Sequence, residues 1–115
     1  MKIRIETLAL GTVVLPEGRL DFGAAPAFQV HIEQLIVAGS AQLLIDCVGL
    51  EYVSSAGLRV FLRAARAAQR AGIAFGLCAL QPAVREVFQL SGFDRIITVH
   101  AGRPAPLARE PQDPV

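Results

Sequence analysis

Two adjacent serines, Ser54 and Ser55, stand between an apolar stretch and a long run of helix-forming residues. Serine is among the best residues for capping a helix, because its hydroxyl accepts a hydrogen bond from a backbone amide that the first turn leaves unpaired. The same place suits a phosphate group, which the positive end of the helix dipole favours. The pair therefore predicts either a structural cap or a hydroxyl that is modified, and the residue types leave both open.

Small residues continue after the serines, at Ala56 and Gly57. A glycine inside a helix costs about 1 kcal/mol relative to alanine, which a simple cap does not explain. Small side chains would leave the start of the helix bare and open to a partner or a modifying enzyme. Phosphorylation of Ser55 would add about two negative charges there, which a docked partner with carboxylates or packed apolar groups would not tolerate.

The helix that follows carries four arginines, spaced so that they form one stripe along its surface. A solvated face explains such a stripe, and so does a docking surface for an acidic partner that is continuous with Ser55. With a net charge of +1 and no interleaved aromatic residues, the chain does not have the footprint of a nucleic-acid-binding protein. The four arginines are Arg59, Arg63, Arg66 and Arg70.

The other chemically interesting residues favour structure over catalysis. We expect Asp46, at the end of a strand, to accept backbone hydrogen bonds from the following loop, and Asp21 to cap the first helix. His31 and His100 have no supporting partners, and the serines lack the glycine two places ahead that a nucleophile elbow needs. No nucleotide-binding glycine motif and no metal-ligand spacing is present, so we expect no enzyme, no cofactor and no metal.

The bulk composition predicts one folded domain in a reducing compartment. The chain has 115 residues, of which 53% are hydrophobic. Cys47 and Cys78 lie in or beside apolar strands and are expected to be reduced and structural; a redox pair is the alternative, without a CxxC motif to support it. The N-terminus is charged and alternating, unlike a signal peptide, and every apolar run is shorter than a membrane span. We expect a cytoplasmic protein without a membrane or nucleic-acid partner.

Hydrophobic periodicity predicts an α/β fold, as a single domain with a mixed, mostly parallel sheet, an N-terminal hairpin and three main helices. Functional groups of such sheets gather at the carboxyl ends of the strands, where the loop after Cys47 begins. The domain is expected to span 1–100, followed by a flexible, proline-rich tail at 101–115. The predicted elements are strands at 2–6, 12–15, 42–47, 73–80 and 95–100, loops at 16–21 and 47–55, and helices at 24–38, 56–71 and 81–90.

Three motifs in order resemble the STAS domain, the family of anti-sigma factor antagonists. Residues 44–59, LIDCVGLEYVSSAGLR, are similar to the family signature of a strand ending in Asp, a loop with glycine and a serine pair opening a helix. Residues 18–21 with 24–26 resemble the entry into its first helix, and 81–94 resemble its third helix and the turn after it. The resemblance covers about 2–99 and implies the STAS fold.

The resemblance also implies roles for the serine pair. The family phosphorylates the serine after Asp in Asp-Ser-Ser-Gly. Placing Gly57 on that glycine puts Ser55 on the phosphorylated serine, Ser54 on the Asp and Ala56 on the following Ser. The chain therefore lacks the family's carboxylate at 54, while Ala56 removes one competing hydroxyl and leaves Ser54 as the alternative site.

The mechanism that the resemblance implies is partner switching. The unphosphorylated domain would bind a serine-kinase anti-sigma factor with a histidine-kinase-like ATPase fold, phosphorylation of Ser55 would release it, and a PP2C-type phosphatase would reset the switch. The alternatives are a non-switching STAS scaffold in a larger complex, such as a lipid-transport ATPase, and less favourably a small serine hydrolase. The residues expected to bind the partner are Asp21, Ser54, Ser55, Ala56, Gly57, Leu58, Arg59 and Arg63.

Overall fold

The computed structural model of the chain describes residues 1–108. The described residues form a six-stranded sheet in the order β1-β2-β3-β5-β6, with β4 paired to β2 outside this path. The β1–β2 hairpin is antiparallel and the remaining pairs are parallel, which confirms the predicted fold class. The elements are β1 (Lys2–Leu8), β2 (Gly11–Leu20), α1 (Ala25–Val37), β3 (Gln42–Asp46), β4 (Leu50–Val53), α2 (Ser55–Ala71), β5 (Ala74–Cys78), α3 (Pro82–Ser91) and β6 (Val99–His100), with short 3₁₀ turns at Phe93–Arg95 and Ala105–Leu107.

Strand β2 is longer than the sequence predicted. The expected end at Pro16 and the expected loop at 16–21 are wrong, because β2 continues to Leu20. Residues 12–14 pair with β3 and residues 18–20 pair with β4. Pro16 falls between these two parallel pairings, where a strand tolerates a residue without an amide hydrogen.

Two further stretches differ from the prediction. The expected loop at 47–55 contains β4, whose end residues Leu50 and Val53 are buried while the two residues between them are exposed. The expected strand at 95–100 is reduced to β6, because Phe93–Arg95 forms a 3₁₀ turn after Gly92, which has a left-handed φ of 77°. The first difference arises from tertiary pairing that local patterns do not encode, and the second from a local turn after Gly92.

All three helices pack on one face of the sheet. Phe61 of α2 lies at its centre, with ring centroids 5.7 Å from both Phe28 of α1 and Phe88 of α3. Inward residues of the strands, such as Ile45 and Leu77, complete this cluster. Within the described residues, no helix is both long and apolar enough to span a membrane.

The opposite face of the sheet is covered by residues 101–108, which we call the C-terminal strap. Leu107 packs into a second cluster, and Arg103 donates two hydrogen bonds to Glu6 (3.1 and 3.2 Å) and one to Asp46 (2.9 Å). These contacts correct the expectation of a flexible tail over this stretch; the rest of that expected tail, 109–115, lies outside the described residues. The partners of Leu107 in the second cluster are Val13, Leu15, Leu44 and Cys78.

The two cysteines lie on opposite faces of the sheet. Cys47 belongs to the cluster under the helices and Cys78 to the cluster under the strap, so they are buried and free. Burial is the main cause that raises the pKa of both thiols, that of Cys78 to about 11. The structure therefore supports a packing role for both thiols, each in its own apolar cluster.

Candidate functional site

The corner between β4 and α2 places the two serines in different environments. Ser54 has an extended backbone, its amide donates to the Leu20 carbonyl (2.9 Å), and its Oγ accepts from the Gly57 amide (3.2 Å). Ser54 is therefore the helix cap, and its amide also ties the start of α2 to the end of β2. Ser55 is the first residue of α2 and is exposed, and within the described residues its hydroxyl forms no hydrogen bond.

Gly57 is buried, contrary to the expectation of a bare helix start. A Cβ there would lie 2.8 Å from side-chain atoms of Leu20 and Val53 and 2.9 Å from the Leu20 carbonyl oxygen. The glycine thus allows α2 to approach the ends of β2 and β4 closely, and its backbone is not open to a partner. Its neighbours Ala56 and Leu58 are half-buried.

Asp21 lies at the same corner, directly after the β2 residue that holds Ser54. Its Oδ1 accepts from the Ala24 amide (3.0 Å), and its carbonyl accepts from the Ala25 amide (3.0 Å). The side chain therefore turns the chain into α1 without being the cap that the sequence predicted. The N-cap position is Ala24, three residues after Asp21, and no side chain caps the helix there. The structure brings Asp21 and the serine pair together.

Asp46 performs the predicted role and a second one that the sequence did not reveal. Its Oδ1 accepts from the Val48 amide (3.2 Å), which shapes the loop toward β4. Its Oδ2 accepts from Arg103 of the strap, so this carboxylate is committed to structure on the face away from the serines.

An apolar groove runs between α1 and α2, beginning beside the serines. Its volume is about 400 Å³, and Phe22 at its mouth is 77% exposed. Sequence reasoning missed this groove because Phe22 lies outside the helical periodicity of α1; an aromatic residue between Asp21 and a glycine was the available signal. The main lining residues are Phe22, Pro26, Gln29, Val30 and Glu33 on the α1 side and Ala56, Arg59 and Arg63 on the α2 side.

The arginine stripe is exposed along α2, as the pattern predicted. Among the described residues its arginines form no ion pair, and Arg63 donates a hydrogen bond to Gln29 of α1 (3.3 Å). The first turn of α2 contains no acidic residue. The α2 wall of the groove therefore presents positive charge to solvent, while Glu33 lines the α1 wall. The role of this surface in docking stays a prediction.

The described residues assemble no hydrolytic or metal site. His31 is exposed on α1 and His100 lies in β6, and neither forms a hydrogen bond with Ser54 or Ser55 in this part of the chain. The described region also contains no cluster of three or more His, Cys, Asp or Glu side chains that could hold a metal ion. The geometry at the corner is that of a capped helix start beside a groove.

The match to the family agrees with this geometry over nearly the whole described chain. The STAS domain family model matches residues 2–104. The chain belongs to the STAS domain family. BtrV of Bordetella bronchiseptica, named as an anti-sigma factor antagonist, is 32% identical over 108 residues, covering 94% of this chain and 93% of BtrV. The chain is thus a STAS domain of the anti-sigma factor antagonist group, which consists of regulators rather than enzymes.

Solved structures share the same fold. A Moorella thermoacetica RsbS variant with glutamate in place of a serine is 26% identical, with a TM-score of 0.74 over 92% of this STAS chain and 91% of RsbS. Bacillus SpoIIAA in its phosphorylated form is 22% identical, with a TM-score of 0.68 over 86% of this chain and 91% of SpoIIAA. Unphosphorylated SpoIIAA has 23% identity and a TM-score of 0.74, over 86% and 88%. The SpoIIAA similarity shows the fold alone.

Proposed function

We propose that this STAS domain is an anti-sigma factor antagonist that acts by partner switching at Ser55. In its unphosphorylated form the domain binds a serine-kinase anti-sigma factor of histidine-kinase-like ATPase fold and so frees the sigma factor. The kinase then phosphorylates Ser55, the complex separates, and a PP2C-type phosphatase restores the serine. The domain itself has no catalytic role in this cycle.

The observation that carries the proposal is the difference between the two serines. Ser54 is half-buried, and its Oγ is engaged with the Gly57 amide. Ser55 is exposed, with no hydrogen bond from its hydroxyl to a described residue. A kinase can reach Ser55 without dismantling the cap, whereas modification of Ser54 would remove the hydrogen bond that begins α2. The geometry thus favours Ser55 over its alternative.

Phosphoryl transfer at this position is chemically simple. The Ser55 Oγ attacks the γ-phosphorus of ATP, the bond to the bridging oxygen breaks, ADP leaves, and the hydroxyl proton passes to a base of the kinase. The phosphatase reverses the modification by hydrolysis, which releases inorganic phosphate. SpoIIAA, a protein of the same fold, has been solved in phosphorylated and unphosphorylated forms, which supports the occurrence of both states on this scaffold.

The proposed contact surface surrounds Ser55. Arg59 and Arg63 are exposed one and two turns after it, Asp21 shapes the adjacent turn, and Ala56 lines the groove. Gly57 and Leu58 would contribute by packing the helix in place. A phosphate adds about two negative charges inside this surface, and a loss of about 3 kcal/mol in binding free energy would weaken the complex more than a hundredfold.

The test is a comparative pull-down from the native host, read by mass spectrometry. The baits are the wild type, Ser55→Ala, Ser55→Asp and, as a matched charge control, Gln69→Glu on the exposed far end of the same helix. We expect a kinase-fold regulator with the wild type, Ser55→Ala and Gln69→Glu, and its loss with Ser55→Asp.

Incubation of the wild type with the recovered regulator and ATP should place phosphate on Ser55 and not on Ser54, as read by fragment mass spectrometry. Equal recovery of the regulator with all four baits would refute the switch and leave the non-switching scaffold, for instance in a lipid-transport ATPase complex. Turnover of a generic ester substrate that Ser55→Ala abolishes would instead establish the hydrolase.

A further inference from the structure

The groove wall places one arginine next to the serine proposed for phosphorylation. Arg59 follows Ser55 by four residues in α2, and both side chains are exposed. Residues four apart lie on one face of a helix with Cβ atoms about 5–6 Å apart. Helical side chains lean toward the N-terminus, which puts the turn that carries Ser55 within reach of the Arg59 side chain.

Arg59 is also available for an anion. It forms no ion pair or hydrogen bond with a described residue, whereas Arg63, one turn further along, donates to Gln29. No carboxylate in the first turn of α2 competes for it. Arg59 is thus an unpaired cation that belongs both to the groove and to the surroundings of Ser55.

The groove itself has a composition that specifies its occupant. Phe22, Pro26 and Val30 offer an apolar surface, and Arg59 and Arg63 line the α2 side. The one carboxylate in the lining, Glu33 on α1, accepts a hydrogen bond from Gln29 (2.8 Å). A segment that fits places an apolar side chain against Phe22 and a carboxylate beside Arg59. A segment with a basic residue at that point would meet the like charge of Arg59 and be disfavoured.

We propose that two anions compete for Arg59: a carboxylate on the anti-sigma factor segment that docks in this groove, and the phosphate on Ser55. This inference rests on the function proposed above. An acidic group placed four residues before a basic one is the favourable orientation for a helical pair, and pairing with a phosphate is charge-assisted. Phosphorylation therefore acts twice, by repelling the partner's carboxylate and by withdrawing the cation that bound it.

The intramolecular pair can be tested without any partner. The full chain is prepared with phosphoserine at position 55 in three forms: otherwise wild type, Arg59→Gln, and Arg66→Gln as a control from the same stripe. The second pKa of the phosphate is measured by ³¹P NMR titration. It should be lower in the wild type than in Arg59→Gln by a few tenths of a pH unit, because the guanidinium favours the dianion, and Arg66→Gln should match the wild type. Identical titrations of the wild type and Arg59→Gln would overturn the pair.

The competition is tested with the kinase-fold regulator that the wild type recovers, by titration calorimetry with unphosphorylated and Ser55-phosphorylated chains. Arg59→Gln should weaken binding of the unphosphorylated chain roughly tenfold and shrink the further loss on phosphorylation by a similar factor. An equal loss on phosphorylation in the wild type and Arg59→Gln would refute the competition while leaving the switch intact. Absence of any regulator would refute the proposed function instead, and the ³¹P titration would still decide the pair.

Discussion

On the strap face of the sheet, Arg103 forms ion pairs with two carboxylates and Leu107 is only 2% exposed. At the groove between the helices, by contrast, Phe22 is 77% exposed and Arg59 has no ion pair with a described residue. The two regions contain the same kinds of group, an arginine and a large apolar side chain. In the first the chain satisfies both by itself. In the second both are left to solvent.

This difference separates structural from functional use of similar residues. An exposed aromatic ring beside an unpaired guanidinium stabilises the protein only when another surface covers it. The residues of the strap, by contrast, are already buried and already stabilise the folded chain. Mutations under the strap should therefore change stability, and mutations at the groove should change binding.

The largest effect on stability is expected from Leu107→Ala. The side chain is buried in the small cluster under the strap, and its truncation removes apolar burial and leaves a cavity, at a cost of about 2 to 4 kcal/mol. Phe22→Ala is the matched control, and because its ring is mostly exposed, it should change the free energy of unfolding by less than about 0.5 kcal/mol. Urea denaturation measures both.

Binding should show the reverse order for the same two variants. Phe22→Ala should weaken the complex with the kinase-fold regulator at least fivefold, the size of effect typical of a contributing interface residue. Leu107→Ala should bind as the wild type does under conditions where it is folded. Similar losses of stability from both variants would contradict the division between the two regions.

A somewhat smaller effect is expected from Arg103→Met. This change leaves the carboxylates of Asp46 and Glu6 without their shared cation, at side-chain exposures of 10% and 24%, and should cost about 2 kcal/mol. Arg4→Met is the comparison, because it breaks the exposed ion pair between Arg4 (54% exposed) and Glu17 (37% exposed). It should lower the free energy of unfolding by less than about 1 kcal/mol. Equal costs in urea denaturation would show that Arg103 is no more than a surface contact.

The two serines give a finer version of the same comparison. Ser54→Ala removes the helix cap and should destabilise the domain by about 1 kcal/mol, while Ser55→Ala should be near neutral. Thermal melting of both variants beside the wild type measures this difference. A larger loss from Ser55→Ala than from Ser54→Ala would mean that the cap belongs to the other serine.

The sequence was informative where local chemistry decides the structure. The cap at the serine pair, the bonds of Asp46 to its loop and the outward arginine stripe all follow from residue types at known positions in a helix or a loop. The prediction for Gly57 was wrong, because a glycine is needed there to make room for Leu20, which is distant along the chain. Spacing within one segment does not show what packs against it.

The strap and β4 escaped prediction for the same reason. Arg103 binds residues 57 and 97 positions away, and Leu107 is a single apolar residue in a proline-rich segment without periodicity. Likewise, β4 is a strand because it pairs with the C-terminal end of β2. The four residues of β4 alone carry no pattern that predicts this pairing. Long-range pairing of this kind leaves no period for a local pattern to detect.

The smallest effect concerns alkaline pH and Cys78 under the strap. Burial, followed by the nearby charge of Asp46, raises the pKa of this thiol to about 11, above its unfolded value near 8.5. A group whose folded pKa is raised stabilises the protein fully below the unfolded pKa and loses that contribution as the pH rises toward the folded pKa. The stability advantage of the wild type over Cys78→Ala should therefore shrink by about 0.8 kcal/mol between pH 7 and pH 9. Urea denaturation at the two pH values measures it, and a constant advantage would show that the thiol is solvated and that the strap does not seal this face.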